Sequence, residues 1–389
     1  MPSDAELMSL ALRLARRAEG HVEPNPMVGC VLTRNGKIIG RGHHRRYGGP
    51  HAEIYALRDC AGNARGATAY VTLEPCCHFG KTGPCTEALI AARVARVVAA
   101  IRDPNPLIAG KGLKHLRDAG IEISLGEQSA AATDLAAPFL KRMKFGRPWV
   151  IAKWGQSLDG KLATRAGETR WITNEEQRHH AHTVRARLDA IVIGIGTALA
   201  DDPTLTARDV PIRRVATRVV FDSQLRLPLR SKLIQSIDAA PLLLFCAHGA
   251  PTTNERRLMS RGAKIIRLPE KKKSSGKRAA ARHPSTPSPL HPALEHFALL
   301  GMSNILVEGG PTLLSAFLSQ NVIDEIHTYI APTLIGNAAA PGPWPIGGVD
   351  RLVDAPRFNA SAELRRLGDG WLYRARSAAS LDKLRDGSA

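Results

Sequence analysis

The stretch Thr68-Ala69-Tyr70-Val71-Thr72-Leu73-Glu74-Pro75-Cys76-Cys77 decides the fold of the first part of the chain. Its first six residues predict a strand, and Glu74-Pro75-Cys76 ends it. His51-Ala52-Glu53 precedes this stretch and Pro84-Cys85 follows it. One imidazole, two thiolates and a carboxylate are the parts of a zinc-activated water, because three protein ligands leave one metal position open. We therefore expect a catalytic metal site beyond the end of this strand.

Both halves of this site are predicted to lie at helix N-termini. One helix should begin near Pro50, since proline is favoured at the first helical position, and a second should run from about Thr86 to Ala92. The helix dipole and the free N–H groups at such positions favour thiolate over thiol. Helices and strands alternate around these two segments, which predicts a sheet covered by helices.

Local signals mark two further elements of the first part. Ser3 and Glu6 have the spacing of a capping box, so a helix should start directly after Ser3. Asn35-Gly36 is a strong hairpin turn between two predicted strands. We expect a hairpin at that position.

A second α/β domain is predicted to follow the boundary at Gly146-Arg147-Pro148. It should start with a strand at Trp149–Trp154 and reach about residue 377, beyond which the tail should fray. Gly194-Ile195-Gly196-Thr197 and Glu308-Gly309-Gly310-Pro311 each follow a strand and can seat a phosphate at a helix N-terminus. Neither is a full dinucleotide motif, so a cofactor site and plain strand–helix connections both stay open here.

Charge is high and uneven along the chain. The 389 residues carry 54 basic and 35 acidic side chains, a net charge of +19. Residues 271–282 contribute six basic side chains and no acidic one, and they run into a Ser- and Pro-rich stretch. We interpret the insertion at about 270–293 as a solvated loop rather than a nucleic-acid arm.

Targeting and disulfide signals are also weak. No run of about 18 apolar residues appears, which argues against a membrane partner. The N-terminal residues lack the basic start and apolar stretch of a signal peptide, so we expect a cytoplasmic protein. Its six cysteines are then expected to be buried thiols or metal ligands rather than disulfides.

The pattern H-x-E followed by P-C is typical of zinc deaminases. More specifically, the first half resembles the bifunctional riboflavin-biosynthesis deaminase–reductase family, in the stretches Pro24–Cys30, Gly49–Glu53, Val71–Cys76 and His78–Cys85. This resemblance implies a cytidine-deaminase-like domain over residues 1–145, a mixed sheet sandwiched by helices. It implies the zinc ligands His51, Cys76 and Cys85 and the catalytic proton shuttle Glu53. Cys77 is expected to stay off the metal.

The same resemblance implies a small phosphorylated pyrimidine as substrate. This is 2,5-diamino-6-(5-phosphoribosylamino)pyrimidin-4(3H)-one, deaminated hydrolytically by a zinc-activated water. Asn25 and His43 would bind the base, and the ribose phosphate would contact His78, Lys81 and Thr82. The family commonly has Thr-Pro-Pro-Cys where this chain has Thr82-Gly83-Pro84-Cys85. We expect a less rigid loop there, with the metal ligand kept.

The second half resembles the family's reductase domain in the stretches Lys153–Lys161, Gly167–Thr173, Thr197–Pro203 and Val307–Pro311. The resemblance implies a dihydrofolate-reductase-like α/β domain over residues 146–377, which uses NADPH to reduce the ribosyl group to ribityl. Residues implied to border NADPH are Gly155, Trp171, Thr197, Asp201 and Gly310. Residues implied to border the substrate are Lys153, Thr169, Arg185, Leu205, Arg208 and Glu308. A homodimer is the family-based expectation.

Two other functions compete with this interpretation. A zinc deaminase of the tRNA adenosine type would need aromatic platforms for nucleic-acid bases, and aromatic residues make up only 5% of the chain. A non-catalytic, zinc-stabilised nucleic-acid-binding protein would need a closed metal site with a fourth ligand, for which Cys77 is available. We expect neither, and no nucleic-acid partner.

Overall fold

A computed structural model describes residues 2–80, 83–105, 108–168, 172–269, 290–345 and 348–385. The chain divides into two compact units. The first contains the residues up to Arg147 and those from Leu381 onward, and the second runs from Pro148 to Ser380. No helix in the described ranges is long and apolar enough to cross a membrane. Most of the basic insertion lies outside the described residues.

The first unit is built on a five-stranded mixed sheet in the order β2-β1-β3-β4-β5. β1 is antiparallel to both its neighbours, whereas β3, β4 and β5 are parallel. The strands are β1 Gly29–Arg34, β2 Lys37–His43, β3 Thr68–Val71, β4 Arg96–Ala99 and β5 Glu122–Leu125. The helices before residue 148 are α1 Asp4–Ala15, α2 Ala52–Asp59, α3 Cys85–Ala91, α4 Lys111–Asp118 and α5 Ser129–Phe145.

Three local predictions in this unit are confirmed. Ser3 caps α1 in a capping box with Glu6. Asn35 and Gly36 both have positive φ angles, 52° and 74°, as a tight hairpin turn between β1 and β2 requires. Helix α2 begins two residues after Pro50, near the predicted position. His51 is its N-cap residue and Ala52 is its first residue.

Two glycines let helices approach the sheet from opposite faces. A Cβ on Gly29 would lie 2.0 Å from the Ala11 carbonyl oxygen of α1. A Cβ on Gly42 would lie 2.1 Å from the Ala52 carbonyl oxygen of α2. Gly42 is paired with Cys30, the residue after Gly29, and neighbouring residues of a strand point to opposite faces. Helix α2, which carries the metal-site residues, therefore packs directly on the hairpin.

The second unit is built on a nine-stranded sheet in the order β10-β9-β8-β7-β11-β6-β12-β14-β13. The pairs from β10 to β12 are parallel, and the last two pairs are antiparallel. The strands are β6 Trp149–Gln156, β7 Ala190–Gly194, β8 Thr217–Phe221, β9 Leu242–Ala247, β10 Lys264–Leu268, β11 Asn304–Val307, β12 Glu325–Ile330, β13 Phe358–Leu367 and β14 Gly370–Ser377. The helices are α6 Glu175–Arg185, α7 Ile195–Asp201, α8 Lys232–Gln235, α9 Thr252–Met259, α10 Leu290–Leu299 and α11 Pro311–Ser319.

Successive residues of the central strands in this unit belong to two separate apolar cores. Val192 and Val219 belong to one apolar cluster, whereas Ile193 and Val220 belong to another. Because side chains alternate along a strand, the parallel part of the sheet is buried on both faces. Ligand-binding groups are then expected at strand ends rather than on the faces.

The predicted frayed tail is wrong for the residues that the structure describes. Residues Ala378–Arg385 form a helix, α12, in which Leu381 and Leu384 are buried. Within the first unit, the Lys144 Nζ donates a hydrogen bond to the Leu384 carbonyl oxygen at 2.6 Å. Two leucines three residues apart give α12 an apolar face, and its burial stabilises the helix.

Candidate functional site

Three predicted metal ligands converge in the first unit. His51 is the N-cap residue of α2, Cys76 lies in the loop after β3, and Cys85 is the first residue of α3. The His51 Nδ1 lies 3.4 Å from the Cys76 Sγ and 3.3 Å from the Cys85 Sγ. All three donor atoms lie within 4.8 Å of one another. An imidazole nitrogen with two sulfurs is a donor set that suits zinc.

The surroundings of Cys76 favour its thiolate. The backbone N–H of Cys85 donates to the Cys76 Sγ at 3.4 Å. Hydrogen bonds from the Cys85 thiol, His51 and this N–H lower the pKa of Cys76 to about 4, against the opposing effect of burial. Cys77 is not part of the three-residue cluster that the described residues form, and burial raises the pKa of its thiol. The cluster therefore leaves room for a water on a four-coordinate metal.

Glu53 lies in the first turn of α2 beside these ligands. It is buried, and its Oε2 has no hydrogen-bond partner among the described residues. Burial raises the pKa of Glu53 to about 6. A buried carboxylate oxygen without a partner, next to three metal donors, is the arrangement in which a carboxylate can exchange a proton with a water on the metal. The residues present thus fit a bound zinc.

A cavity of about 280 Å³ opens next to the donor cluster, and His51, Glu53 and Cys76 line it. Asn25, His44 and His78 also line it. The His44 Nδ1 donates to the Pro50 carbonyl oxygen at 2.9 Å, since that oxygen can only accept. The His44 Nε2 must then accept from the Asn25 amide at 3.3 Å, and burial keeps the pKa of His44 low. The oxygen of the Asn25 side-chain amide takes no part in this contact and stays available to a ligand.

One of the predicted base-binding residues needs correction. His43 is the last residue of β2 and is not among the residues that line the cavity, whereas its neighbour His44 is. Adjacent residues at a strand end point in opposite directions, so a step of one residue moves the imidazole to the other side. Asn25 and His78 do line the cavity, and Lys81 and Thr82 lie outside the described residues.

Sequence reasoning missed three further polar residues of this cavity. Glu74, Asp103 and Asn105 all line it. Burial raises the pKa of Asp103 to about 6. Asp103 and Asn105 lie in an irregular segment after β4, where no periodic pattern marks them. The only available signal is the polar Asp-Pro-Asn run directly after an apolar strand.

In the second unit, Glu308 is the centre of a buried ionic cluster. Its carboxylate receives two hydrogen bonds from the Arg185 guanidinium, at 2.7 and 2.5 Å, and lies 3.8 Å from the Lys153 Nζ. Burial alone would raise the pKa of Glu308, but the charges of Arg185 and Lys153 outweigh it and lower the pKa to about 2. Glu308 is thus ionised and held in one orientation.

Several predicted cofactor residues gather at the carboxyl ends of two adjacent strands, β7 and β11. Gly310 is the N-cap residue of α11, and its backbone N–H donates to the Thr197 Oγ1 at 2.9 Å. Gly155 lies on the adjacent strand β6 and has no room for a side chain, because a Cβ there would lie 2.6 Å from the Thr173 side chain. Asp201 is the last residue of α7 and is exposed. Helix α11 has no side-chain cap, so its N-terminal N–H groups suit a cofactor phosphate.

The predicted substrate residues of this unit are placed unequally. Leu205 has its side chain in an apolar core, only 4% exposed, and its φ is 51°. Only its backbone can therefore meet a ligand. Arg208 is exposed on the same segment. Thr169 and Trp171 lie outside the described residues. Sequence reasoning also missed His182. This residue is buried, and its Nδ1 has no hydrogen-bond partner among the described residues.

Comparisons with known proteins agree with the division into two units. Residues 1–101 match the family model of the cytidine and deoxycytidylate deaminase zinc-binding region, and residues 148–373 match that of the RibD C-terminal domain. The riboflavin biosynthesis protein RibD of Escherichia coli is 39% identical over 370 residues, which are 94% of this chain and 97% of that protein. The RibD of Aquifex aeolicus is 38% identical over 349 residues, 89% of this chain and 92% of that protein.

Solved structures show the same relationship. A RibD structure from Acinetobacter baumannii has a TM-score of 0.81 and 34% identity, and the alignment covers 96% of this chain and 99% of that one. A diaminohydroxyphosphoribosylaminopyrimidine deaminase/5-amino-6-(5-phosphoribosylamino)uracil reductase from Thermotoga maritima has a TM-score of 0.79 and 28% identity, with coverage of 96% and 99%. The chain therefore belongs to the RibD family of riboflavin biosynthesis. The predicted fold class, a deaminase domain followed by a reductase domain, is confirmed.

Proposed function

We propose that this RibD-family enzyme catalyses two successive steps of riboflavin biosynthesis. The first is hydrolytic deamination of 2,5-diamino-6-(5-phosphoribosylamino)pyrimidin-4(3H)-one. The second is reduction of the ribosyl group of the product to ribityl with NADPH. We assign the first step to residues 1–145 and the second to residues 146–377. The observation that carries the proposal is the convergence of one imidazole, two sulfurs and a buried Glu53 at one cavity.

In the deaminase step, His51, Cys76 and Cys85 would hold a zinc ion. Zinc, when bound, supplies an activated water. Glu53 is buried with a pKa near 6, so it can take up a proton and release it to the departing amine at the same pH. Asn25, whose amide is oriented by His44, can present its oxygen to the pyrimidine ring. His78, Lys81 and Thr82 would contact the ribose phosphate.

In the reductase step, the reduced nicotinamide supplies a hydride. Gly155, Trp171, Thr197, Asp201 and Gly310 would border this cofactor. Glu308 cannot act as an acid, because its carboxylate is ionised and bound by Arg185. Burial lowers the pKa of Lys153, so its ammonium can release a proton more readily than an exposed lysine. Lys153 and Glu308 would contact the ribose.

Four further residues are proposed to contact the substrate. Thr169, Arg185, the backbone of Leu205 and Arg208 would border the phosphorylated ribose. Arg208 is the exposed cation of this set and suits a phosphate. We further propose that the enzyme is a homodimer, as the family resemblance implies. We also propose that it is cytoplasmic, since a reducing compartment keeps the Cys76 and Cys85 thiols available to the metal.

The decisive experiment is mass detection of products from the diaminopyrimidine phosphoriboside, with and without NADPH. We expect ammonia release and exchange of an amino group for oxygen without NADPH, and a further two hydrogens when NADPH is present. Deamination of adenosine in tRNA, with the free nucleotide left unchanged, would contradict the proposal. Removal of zinc by a chelator should abolish the first step and leave reduction of the deaminated nucleotide intact.

A further inference from the structure

Glu74 is a buried carboxylate that the proposed mechanism does not use. It is 3% exposed and has no cationic partner within the described parts of the chain. Its two oxygens instead accept four backbone N–H hydrogen bonds. Oε2 accepts from Asp103 at 3.2 Å and Gly110 at 2.9 Å, and Oε1 accepts from Gly112 at 3.0 Å and Leu113 at 3.2 Å. A buried charge is stabilised here by backbone dipoles alone.

One of the four donors, Asp103, lines the deaminase cavity, and the other three lie at the start of α4. Gly110 is the N-cap residue of α4, and Gly112 and Leu113 lie in its first turn. Asp103 lines the cavity itself, and its side chain accepts a hydrogen bond from the Asn105 backbone at 2.8 Å. Ile108, which also lines the cavity, packs in one apolar cluster with Cys76 and Cys85. Glu74 thus binds Asp103 on one side of Ile108 in sequence and the start of α4 on the other.

The fit between α4 and the metal-binding segment is tight. A Cβ on Gly112 would lie 2.1 Å from the Pro75 carbonyl oxygen and 3.2 Å from the Glu74 Oε1. Any larger residue at position 112 would push α4 away from the segment. Pro75 stands between Glu74 and Cys76, so the contact involves the same three residues that present a metal ligand.

We propose that Glu74 is a positioning residue, whose carboxylate fixes the wall of Asp103, Asn105 and Ile108 at a set distance from the metal ligand Cys76. Both of its oxygens are occupied by backbone N–H donors, so it acts through the backbone that it holds. Its loss therefore weakens substrate binding while the metal stays bound. The kinetic part of this proposal rests on the proposed deaminase function.

Glu74→Gln is the sharpest test, because a glutamine places an NH₂ group against two of the four N–H donors. We expect KM for the pyrimidine nucleotide to rise at least about tenfold and kcat to change less than about threefold. Zinc content should stay at one ion per chain. Amide exchange of Asp103, Gly110, Gly112 and Leu113 should accelerate at least about tenfold when measured by hydrogen–deuterium exchange.

Three further variants make the result interpretable. Glu87→Gln removes an exposed carboxylate that contacts α4 from outside, through His115 at 2.8 Å, and should leave KM and exchange unchanged. Gly112→Ala disturbs the same contact from the side of α4 and should reproduce the KM and exchange changes. Glu74→Asp keeps the charge and should restore part of the wild-type KM. The last two carry the test if Glu74→Gln does not fold.

Unchanged KM and unchanged exchange in Glu74→Gln would overturn the proposal. Loss of zinc in proportion to loss of activity would overturn it as well, because Glu74 would then serve the metal segment only. If the wild-type enzyme does not release ammonia from the nucleotide, the proposed function fails. The exchange measurement still decides whether Glu74 holds the wall.

Discussion

Glu53 combines complete burial with an unpartnered carboxylate oxygen beside three metal donors. General acid–base catalysis by such a group typically contributes a factor of about 10² to 10⁴. We expect Glu53→Gln to lower the deaminase kcat by about that factor. Zinc content, measured by atomic absorption, should not change, since the glutamate is not a ligand.

The reductase half of the same chain is the internal control for Glu53→Gln. Reduction of the already deaminated nucleotide should proceed at the wild-type rate, because the substituted side chain lies in the first unit. A variant that keeps more than about a tenth of the deaminase activity would show that another group moves the proton.

His182 makes the second unit sensitive to acid. Burial, with the nearby charges of Arg185 and Arg208, lowers its pKa to about 4 from 6.5. Between these two values the unfolded chain binds a proton that the folded chain does not, so stability falls as the pH is lowered through this window. For His182→Gln, we expect the loss of unfolding free energy between pH 7 and pH 5 to shrink by about 1 kcal/mol.

Urea titrations at the two pH values measure this effect through the reductase activity that survives. His179 is exposed on the same helix, α6, and His179→Gln is the matched control. An equal pH response in His182→Gln and the wild type would show that His182 carries no part of the acid sensitivity.

At this scale, the sequence motifs predict which residues gather at the metal but not the details of the substrate pocket. His51, Cys76 and Cys85 are identified by residue type and order alone. The choice between His43 and His44 depends on which side of the strand end each imidazole faces, and two adjacent histidines carry no periodic signal. The Leu205 side chain lies in the core at a residue with positive φ, which no composition pattern predicts.

Among the elements, the hairpin and α2 form the support of the metal site. A Cβ on Gly42 would lie 2.1 Å from the Ala52 oxygen and 2.5 Å from the Ala56 nitrogen. We expect Gly42→Ala to destabilise the first unit by about 1–3 kcal/mol, because α2 must shift to make room. The shift would also move His51 and Glu53, so deaminase activity should fall more than stability alone explains.

The matched control for Gly42→Ala is Gly83→Ala, where a Cβ would meet nothing within 4 Å. This change should alter stability by no more than about 0.5 kcal/mol. The urea midpoint for loss of deaminase activity is the measurement. Equal midpoints for the two variants would mean that α2 adapts to a methyl group on the hairpin.

Strongly patterned elements were predictable and weakly buried ones were not. The strand predicted to start at Trp149 and the helix predicted to start after Ser3 are both present. Strand β13 is exposed at most of its positions, on both faces, so it has no alternation to detect. Strand β10 lies at the opposite edge of the same sheet and is only partly buried. Edge strands owe their structure to a pairing partner, which a local pattern cannot supply.

At the scale of the whole molecule, the last described residues, from Leu381 onward, are part of the first unit. Leu384 of α12 is 1% exposed, and Arg385 contacts Asp134 at 3.2 Å within the first unit. We expect Leu384→Ala to cost about 2–5 kcal/mol, the range for a buried leucine. Thermal inactivation of the deaminase should occur at a lower temperature, while that of the reductase should change less.

Lys383→Ala is the control for this prediction, because Lys383 is the exposed neighbour on the same helix. Its inactivation temperatures should match those of the wild type. If Leu384→Ala instead inactivated the reductase first, the assignment of α12 to the first unit would be wrong.

Helix α12 also delays completion of the deaminase unit during biosynthesis. A ribosome releases the chain from its N-terminus, so the residues up to Arg147 emerge while α12 has yet to be translated. The deaminase unit must therefore wait, with the surface that receives Leu381 and Leu384 still uncovered, until the reductase has been made. Strand β14 of the reductase sheet ends at Ser377, directly before α12, so the two units receive their last elements at the same stage of translation.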